Sequence, residues 1–205
     1  MSAEARRLIL LRHGRTPWNA EGRIQGQLDV ELDDTGHAQA AATAPALAAL
    51  GPALLWSSDS ARARQTASYV AKESGLEPTY DARLREYYLA DWQGRTHADV
   101  REGEAALFDR FRAGDFDAVP GGETTAEVSA RMVAALTELL ASTGPGELAI
   151  AVSHGAAIRD AVPVLLGLPA AERAALHGLD NCGWVELDQA EPGGALRLRA
   201  YNRVV

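Results

Sequence analysis

Two short apolar runs in this chain end in the same way. Leu8 to Leu11 leads into Arg12-His13-Gly14, and Leu148 to Val152 leads into Ser153-His154-Gly155. An apolar run of this length closed by polar residues and glycine has the pattern of a buried strand in a sheet covered on both faces. Active sites in such sheets lie outside the carboxyl ends of the strands. Each histidine therefore stands just past a strand end, where the two can meet at one crevice. A lone histidine is more often structural or solvated, but a matched pair at two strand ends points to a site.

The remaining pattern surrounds these runs with alternating strands and helices. Leu32-Asp33-Asp34-Thr35-Gly36 supplies helix-capping chemistry before an alanine-rich helix, in which Pro45 predicts a kink or an early end. A second buried strand is expected over 53–57, a helix over about 60–74 and a short edge strand over 78–81. Residues 124–142 have helical periodicity, with Val128, Met132, Ala135, Leu136, Leu139 and Leu140 on one face. Gly144-Pro145-Gly146 ends that helix. A third strand over 148–152 and a helix over about 156–166 follow. Two last strands, near 184–187 and 196–201, are joined by Glu191-Pro192-Gly193-Gly194. This order predicts an α/β fold, a three-layer sandwich with a mostly parallel central sheet. The polar stretch 91–122 is expected to form a small helical cap over one sheet edge, inserted into a single domain spanning 1–205.

Composition narrows the function. Apolar residues make up 47% and charged residues 23%, as in folded soluble proteins. A net charge of −8 argues against a nucleic-acid binder that relies on a broad basic surface. Any positive site must be local and built from arginines, because Lys72 is the sole lysine. The single cysteine, Cys182, leaves no internal disulfide or cysteine-based metal cluster and is expected to pack near a strand start. The apolar run before Arg12, Leu8 to Leu11, has only four residues, too few for the core of a signal peptide. The uncharged stretch 38–56 is mostly alanine and is broken by Pro45, Gly51 and Pro52, so it reads as a helix followed by a strand rather than a membrane span. A cytoplasmic location without a membrane partner is expected.

Two further segments carry chemistry. Ser57-Ser58-Asp59-Ser60-Ala61-Arg62-Ala63-Arg64-Gln65-Thr66-Ala67 opens a helix directly after a strand, where backbone N–H groups and an arginine converge as a phosphate cradle. A capped helix with solvated arginines is the plainer alternative. Leu84 to Gly94 sets Glu86 beside Tyr87, Tyr88 and Trp92, which makes it a candidate proton donor rather than a surface glutamate.

The four segments, in this order, resemble the histidine phosphatase superfamily, also called phosphoglycerate-mutase-like. The closest stretch is Leu10-Leu11-Arg12-His13-Gly14-Arg15-Thr16-Pro17-Trp18-Asn19, and the similarity runs from Leu8 to the terminal strand. The resemblance implies that His13 attacks phosphorus in line to give a phosphohistidine. It implies that Arg12 and Arg62 clamp the phosphoryl oxygens, with His154 hydrogen-bonded to them as second histidine. Glu86 would protonate the leaving oxygen and then take a proton from water. That role needs a protonated Glu86 at working pH, and Tyr87, Tyr88 and Trp92 are expected to exclude water around it. Arg62 matches the family position and Arg64 does not; Ser60 stands where the family usually has leucine. No cofactor and no metal are implied.

Mutases of the superfamily usually carry Glu-Arg-His-Tyr where this chain has Glu86-Tyr87-Tyr88-Leu89, and Asn-Ser where it has Ala156-Ala157. They are also usually longer. With Tyr87 replacing an arginine that would hold a phosphoglycerate carboxylate, hydrolysis is expected. The activity implied is that of a phosphomonoesterase acting on a small phosphorylated metabolite of the sugar phosphate or phosphoglycerate type. Gly26-Gln27-Leu28-Asp29 and Asp91-Trp92-Gln93-Gly94-Arg95-Thr96-His97 resemble the broad-specificity bacterial phosphatases. A cofactor-dependent phosphoglycerate mutase is the alternative. Substrate contacts are expected from Arg15, Thr16, Asn19, Arg23, Gln25, Gly26, Tyr87 and Gly155. Arg15 or Arg23 would pair with a carboxylate or second phosphate, Trp18 would pack on a sugar or ring, and Phe108 or Arg112 would contribute from the cap.

Other residues read as structural: His37 and His177 as solvated, His97 as more a surface than a site residue, and Trp56, Trp184, Phe111 and Phe116 as core or cap packing. A non-catalytic relative holding a phosphorylated partner would have lost the nucleophile, the second histidine or the acid, and all are present. A metal site at His13 and His154 lacks a nearby third ligand. Beyond a small phosphorylated substrate, an apolar helix face would serve a homodimer.

Overall fold

Leu8 and Leu10 point to one side of their strand and Ile9 and Leu11 to the other, and this alternation builds the molecule. The computed structural model describes residues 5–169, 172, 175–191 and 193–205. Strand β1 (Arg6–Arg12) lies inside a six-stranded sheet of order β3-β2-β4-β1-β5-β6. It pairs in parallel with β4 (Leu148–Ser153), which pairs in parallel with β2 (Pro52–Ser57), and β2 with the short edge strand β3 (Thr79–Tyr80). β5 (Trp184–Gln189) runs antiparallel to β1, and β6 (Leu196–Arg203) antiparallel to β5. The mostly parallel sheet expected from the strand–helix alternation is thus present.

Helices cover both faces. Ile9, Leu11, Leu55, Ile150 and Val152 pack against Ala44 and Leu47 of α2 (Asp34–Ala48) and Ala63, Ala67 and Val70 of α3 (Ala61–Ser74). Leu8, Leu10, Ala149, Ala151 and Val185 pack against Met132, Leu136 and Leu139 of the later helix Thr125–Ala141 and against Ile158 and Val162 of the helix Gly155–Leu165. Along the chain α1 (Pro17–Glu21) precedes α2 and α4 (His97–Arg112) follows α3, which makes the two later helices α5 and α6. The apolar face of 124–142 is the one buried on the sheet.

Two details differ from the sequence reading. α2 neither ends at Pro45 nor is shortened by it, but runs one further turn to Ala48. Pro45 and Ala41 both face solvent, so the carbonyl that the missing N–H leaves free is on the wet side of the helix. α1 was not expected; its signal is Thr16-Pro17-Trp18-Asn19, a capping box with proline in the first turn. The 91–122 stretch is helical, as the expected cap requires. It folds as α4 and two single-turn 3-10 helices, and its Trp92, Val100, Phe108 and Phe116 join the core on the α5/α6 side. Pro192, part of the connection expected between the last two strands, lies outside the described residues. Among the described residues no helix is long and apolar enough to cross a membrane.

Leu136 is fully buried where α5 meets the sheet. Leu136→Ala should lower unfolding free energy by about 2–5 kcal/mol, read from the urea midpoint at unchanged slope.

Candidate active site

The register of β1 on β4 sets the site. Arg12 pairs with Ser153, so the residues that follow, His13 and His154, emerge side by side. Their rings meet edge to face with centroids 5.2 Å apart. Both are buried, at 3% and 0% exposure. His13 Nδ1 donates to the Gly14 carbonyl at 2.7 Å, which leaves Nε2 with the lone pair. Burial, then Arg62 and Arg12, hold His13 well below the usual histidine range, and burial, then Arg62 and His13, do the same to His154. Both imidazoles are neutral at physiological pH.

His154 is engaged on both nitrogens. Arg62 Nε donates to Nδ1 at 3.3 Å, and Nε2 contacts the hydroxyls of Ser58 at 2.9 Å and Ser60 at 3.3 Å. His154 does not line the cavity in front of His13. It braces Arg62 and packs on His13, beside the place where the phosphoryl group is expected. Ser60, unusual for the family, is one of its partners.

Two guanidinium groups flank His13. Arg62, 1% exposed at the first turn of α3, donates Nη1 to the Leu28 carbonyl at 2.9 Å and Nη2 to the Gly26 carbonyl at 2.7 Å. Burial lowers it to about 10, opposed by Glu86, so it remains cationic. Arg12 donates Nη1 to the Leu179 carbonyl, and its buried Nε has no partner. Burial also lowers Arg12 from the usual guanidinium value. Arg64 lies outside the cavity, over the Tyr80 ring.

Glu86 is held by hydrogen bonds rather than by an apolar box. Its carboxylate accepts the backbone N–H groups of Ala156 at 3.1 Å and Ala157 at 2.9 Å, at the start of α6, and that of Tyr87 at 3.1 Å. The expected aromatic enclosure is only partly formed. Tyr88 is 45% exposed, Trp92 Nε1 donates to Glu104, and Tyr87 alone lines the cavity. Tyr87 is buried with its hydroxyl on Asp160 Oδ2 at 2.5 Å and its ring stacked on Phe116. Burial, then Asp160, push its phenol upward, so it stays protonated.

Arg12, His13, Arg62 and Glu86 share a cavity of about 330 Å³. Of the expected substrate residues, Asn19, Arg23, Gln25, Gly26, Tyr87 and Gly155 line it. Gln25 Oε1 is buried there without a partner. A Cβ on Gly26 would lie 2.1 Å from Gln93 Oε1, so only glycine fits that turn. Arg15 and Thr16 do not line the cavity. Arg15 turns away to Asp33 at 2.8 Å and Thr35 at 2.8 Å, and the Thr16 hydroxyl caps α1. Trp18 packs beneath Arg23, and Phe108 is core. Arg112 does line the cavity, with His97, Phe111, Phe116 and Arg159, none of which was assigned to the site. For Arg159 a signal existed: it lies four residues after Gly155, on the same helix face. Nothing local marked the others. His37 is half-buried and shares a hydrogen bond with the Tyr69 hydroxyl, whereas His177 is exposed. Cys182 packs with Leu32 and Ala40 before β5, and burial pushes its thiol up to about 12.

The depressed histidines predict an acid-labile fold. Above about pH 6.5 both are neutral whether folded or unfolded. Below it the unfolded chain binds protons that the native site refuses, so stability falls as pH falls, by on the order of 1 kcal/mol per histidine per pH unit. Chemical denaturation between about pH 7.5 and about pH 5.5 should show a shallower loss for His13→Gln than for the wild type.

The chain is similar to known proteins along most of its length. The family model described as histidine phosphatase superfamily (branch 1) matches residues 8–202. Glucosyl-3-phosphoglycerate phosphatase of Mycobacterium tuberculosis (strain CDC 1551 / Oshkosh) is 40% identical over 190 residues, 89% of this chain and 85% of that protein. Probable phosphoglycerate mutase GpmB of Salmonella paratyphi C (strain RKS4594) is 37% identical over 185 residues, 90% of this chain and 85% of that protein. The solved structure of a mycobacterial glucosyl-3-phosphoglycerate phosphatase complexed with VO3 matches with a TM-score of 0.90 at 38% identity, covering 96% of this chain and 99% of that one. With the expected motifs in place and a match across nearly its whole length, the chain belongs to branch 1 of the histidine phosphatase superfamily.

Proposed function

We propose that this protein is a phosphomonoesterase that hydrolyses a small phosphorylated metabolite carrying a second anionic group, through a phosphohistidine at His13. The observation that carries this is the neutral His13, its tautomer set by Gly14, held between two buried guanidinium groups of which Arg12 keeps an unpartnered Nε. His13 Nε2 attacks phosphorus while Arg12 and Arg62 offset charge on the oxygens, the positioning and electrostatic work that phosphoryl transfer requires. Glu86 gives its proton to the leaving oxygen. The same carboxylate then takes a proton from water as that water displaces His13 and releases phosphate. Residues 91–122 act as the cap whose Phe111, Arg112 and Phe116 close the far wall. The protein works in the cytoplasm without a metal, and activity in excess chelator checks the second point.

The substrate class rests on charge. Arg12, Arg23, Arg62, Arg112 and Arg159 line the cavity against one carboxylate, Glu86, in a chain of net charge −8. Arg12 and Arg62 serve the phosphate, Arg159 is tied to Asp160 at 3.2 Å and Arg23 to Glu21 at 3.2 Å. Arg112 has no ion-pair partner among the described residues and lies close enough to His97 to lower it, after burial. A carboxylate fits a guanidinium bidentately, and the relatives named for glucosyl-3-phosphoglycerate support a phosphoglycerate-type molecule. Tyr87, whose hydroxyl is committed to Asp160, offers no charge for that group.

The mutase alternative has the 37% relative in its favour and differs in outcome. A panel of sugar phosphates and phosphoglycerates should release inorganic phosphate in the wild type and none with His13→Ala. Transfer to a second hydroxyl without release would establish the mutase. Arg112→Ala should lower kcat/KM about tenfold or more for carboxylated esters and little for uncharged alkyl phosphates.

A further inference from the structure

We infer that Arg131, outside the cavity on α5, is the positioning residue that holds the Glu86 loop in its productive place. The inference rests on the proposed role of Glu86 as proton donor. The loop bearing Glu86 follows a single 3-10 turn, Ala82–Leu84, and belongs to no strand or α-helix, so no ladder orders its backbone. Arg131 supplies the missing partners. Its Nη1 donates to the carbonyls of Arg83 at 2.9 Å and Arg85 at 2.6 Å, and its Nη2 to that of Glu86 at 2.9 Å.

The guanidinium is aimed in turn by Glu123, which accepts from Nε at 2.9 Å and from Nη2 at 2.9 Å, with the Arg131 side chain only 18% exposed. Glu123 also accepts the Tyr88 N–H at 2.7 Å and Gln27 Nε2 at 3.1 Å, and Gln27 Nε2 reaches the Glu86 carbonyl at 3.1 Å. One planar fork and one carboxylate thus bind the backbone on both sides of Glu86. On the far side, its carboxylate meets the N–H groups of Ala156 and Ala157. The acid is fixed from behind by Arg131 and in front by α6. A fork is required because three carbonyls in three directions need donors in one rigid plane, which an ammonium group does not provide.

The chemistry gives a signature that simple destabilisation lacks. A general acid matters for an alkoxide leaving group and hardly for a nitrophenolate, which departs without a proton. In Arg131→Met, kcat/KM for an alkyl phosphate should fall about 30-fold or more, while that for p-nitrophenyl phosphate should change about threefold or less. Glu86→Gln should show the same selectivity, and the double variant should be no worse than Glu86→Gln alone, as expected for residues acting as one unit. Arg131→Lys keeps the charge and loses the fork, so it should behave as Arg131→Met does. It also serves if the methionine variant fails to fold. Equal losses on both esters, additive losses in the double variant, or full activity with lysine would overturn the assignment. Failure of the phosphatase reading itself would look different: the wild type would release phosphate from neither ester, or His13→Ala would release it undiminished.

Discussion

The in-register parallel pairing of β1 with β4 is the constraint on which the rest depends. Arg12 opposite Ser153 is the last pair of that ladder, and both chains leave the sheet at the same level. A one-residue slip would exchange the faces of Leu8, Leu10, Ile9 and Leu11, so two helical layers specify the register that also aligns the histidines. β2 ends beside them at Ser57, and β5 begins beside Leu11 at Trp184. The hydroxyls behind His154 and the Leu179 carbonyl that holds Arg12 therefore reach the crevice from neighbouring strand ends.

Keeping two guanidinium groups in a buried crevice is costly unless their protons find partners. Here backbone carbonyls do most of that work: Gly26 and Leu28 for Arg62, Leu179 for Arg12. Carbonyls satisfy N–H groups without neutralising charge. The net positive field is preserved for an anion, while burial and that same field keep the imidazoles unprotonated. Fold stability and nucleophile readiness thus draw on one arrangement.

Glu86 departs most from what its neighbours in sequence suggest. Adjacent aromatic residues promise an apolar enclosure, yet Tyr88 faces outward and Tyr87 is drawn inward by Asp160 and Phe116. The carboxylate is instead placed by backbone N–H groups of α6, and its loop by the fork of Arg131. Those partners lie 45 and 70 residues away along the chain, so no local pattern announces them.

Taken alone, the sequence determined the layered sheet, the strand-end histidines, the arginine opening α3 and the family they indicate, because each depends on short-range periodicity and on residues within one turn of a strand end. The tertiary structure alone decided which charged groups face the ligand. Arg15 and Arg112 look equivalent in sequence, but Arg15 meets Asp33 and Thr35 and turns away, whereas Arg112 ends α4 at the cavity wall. The direction of a long cationic side chain is set by whichever acceptor folding brings within reach, and that acceptor comes from another element of the fold.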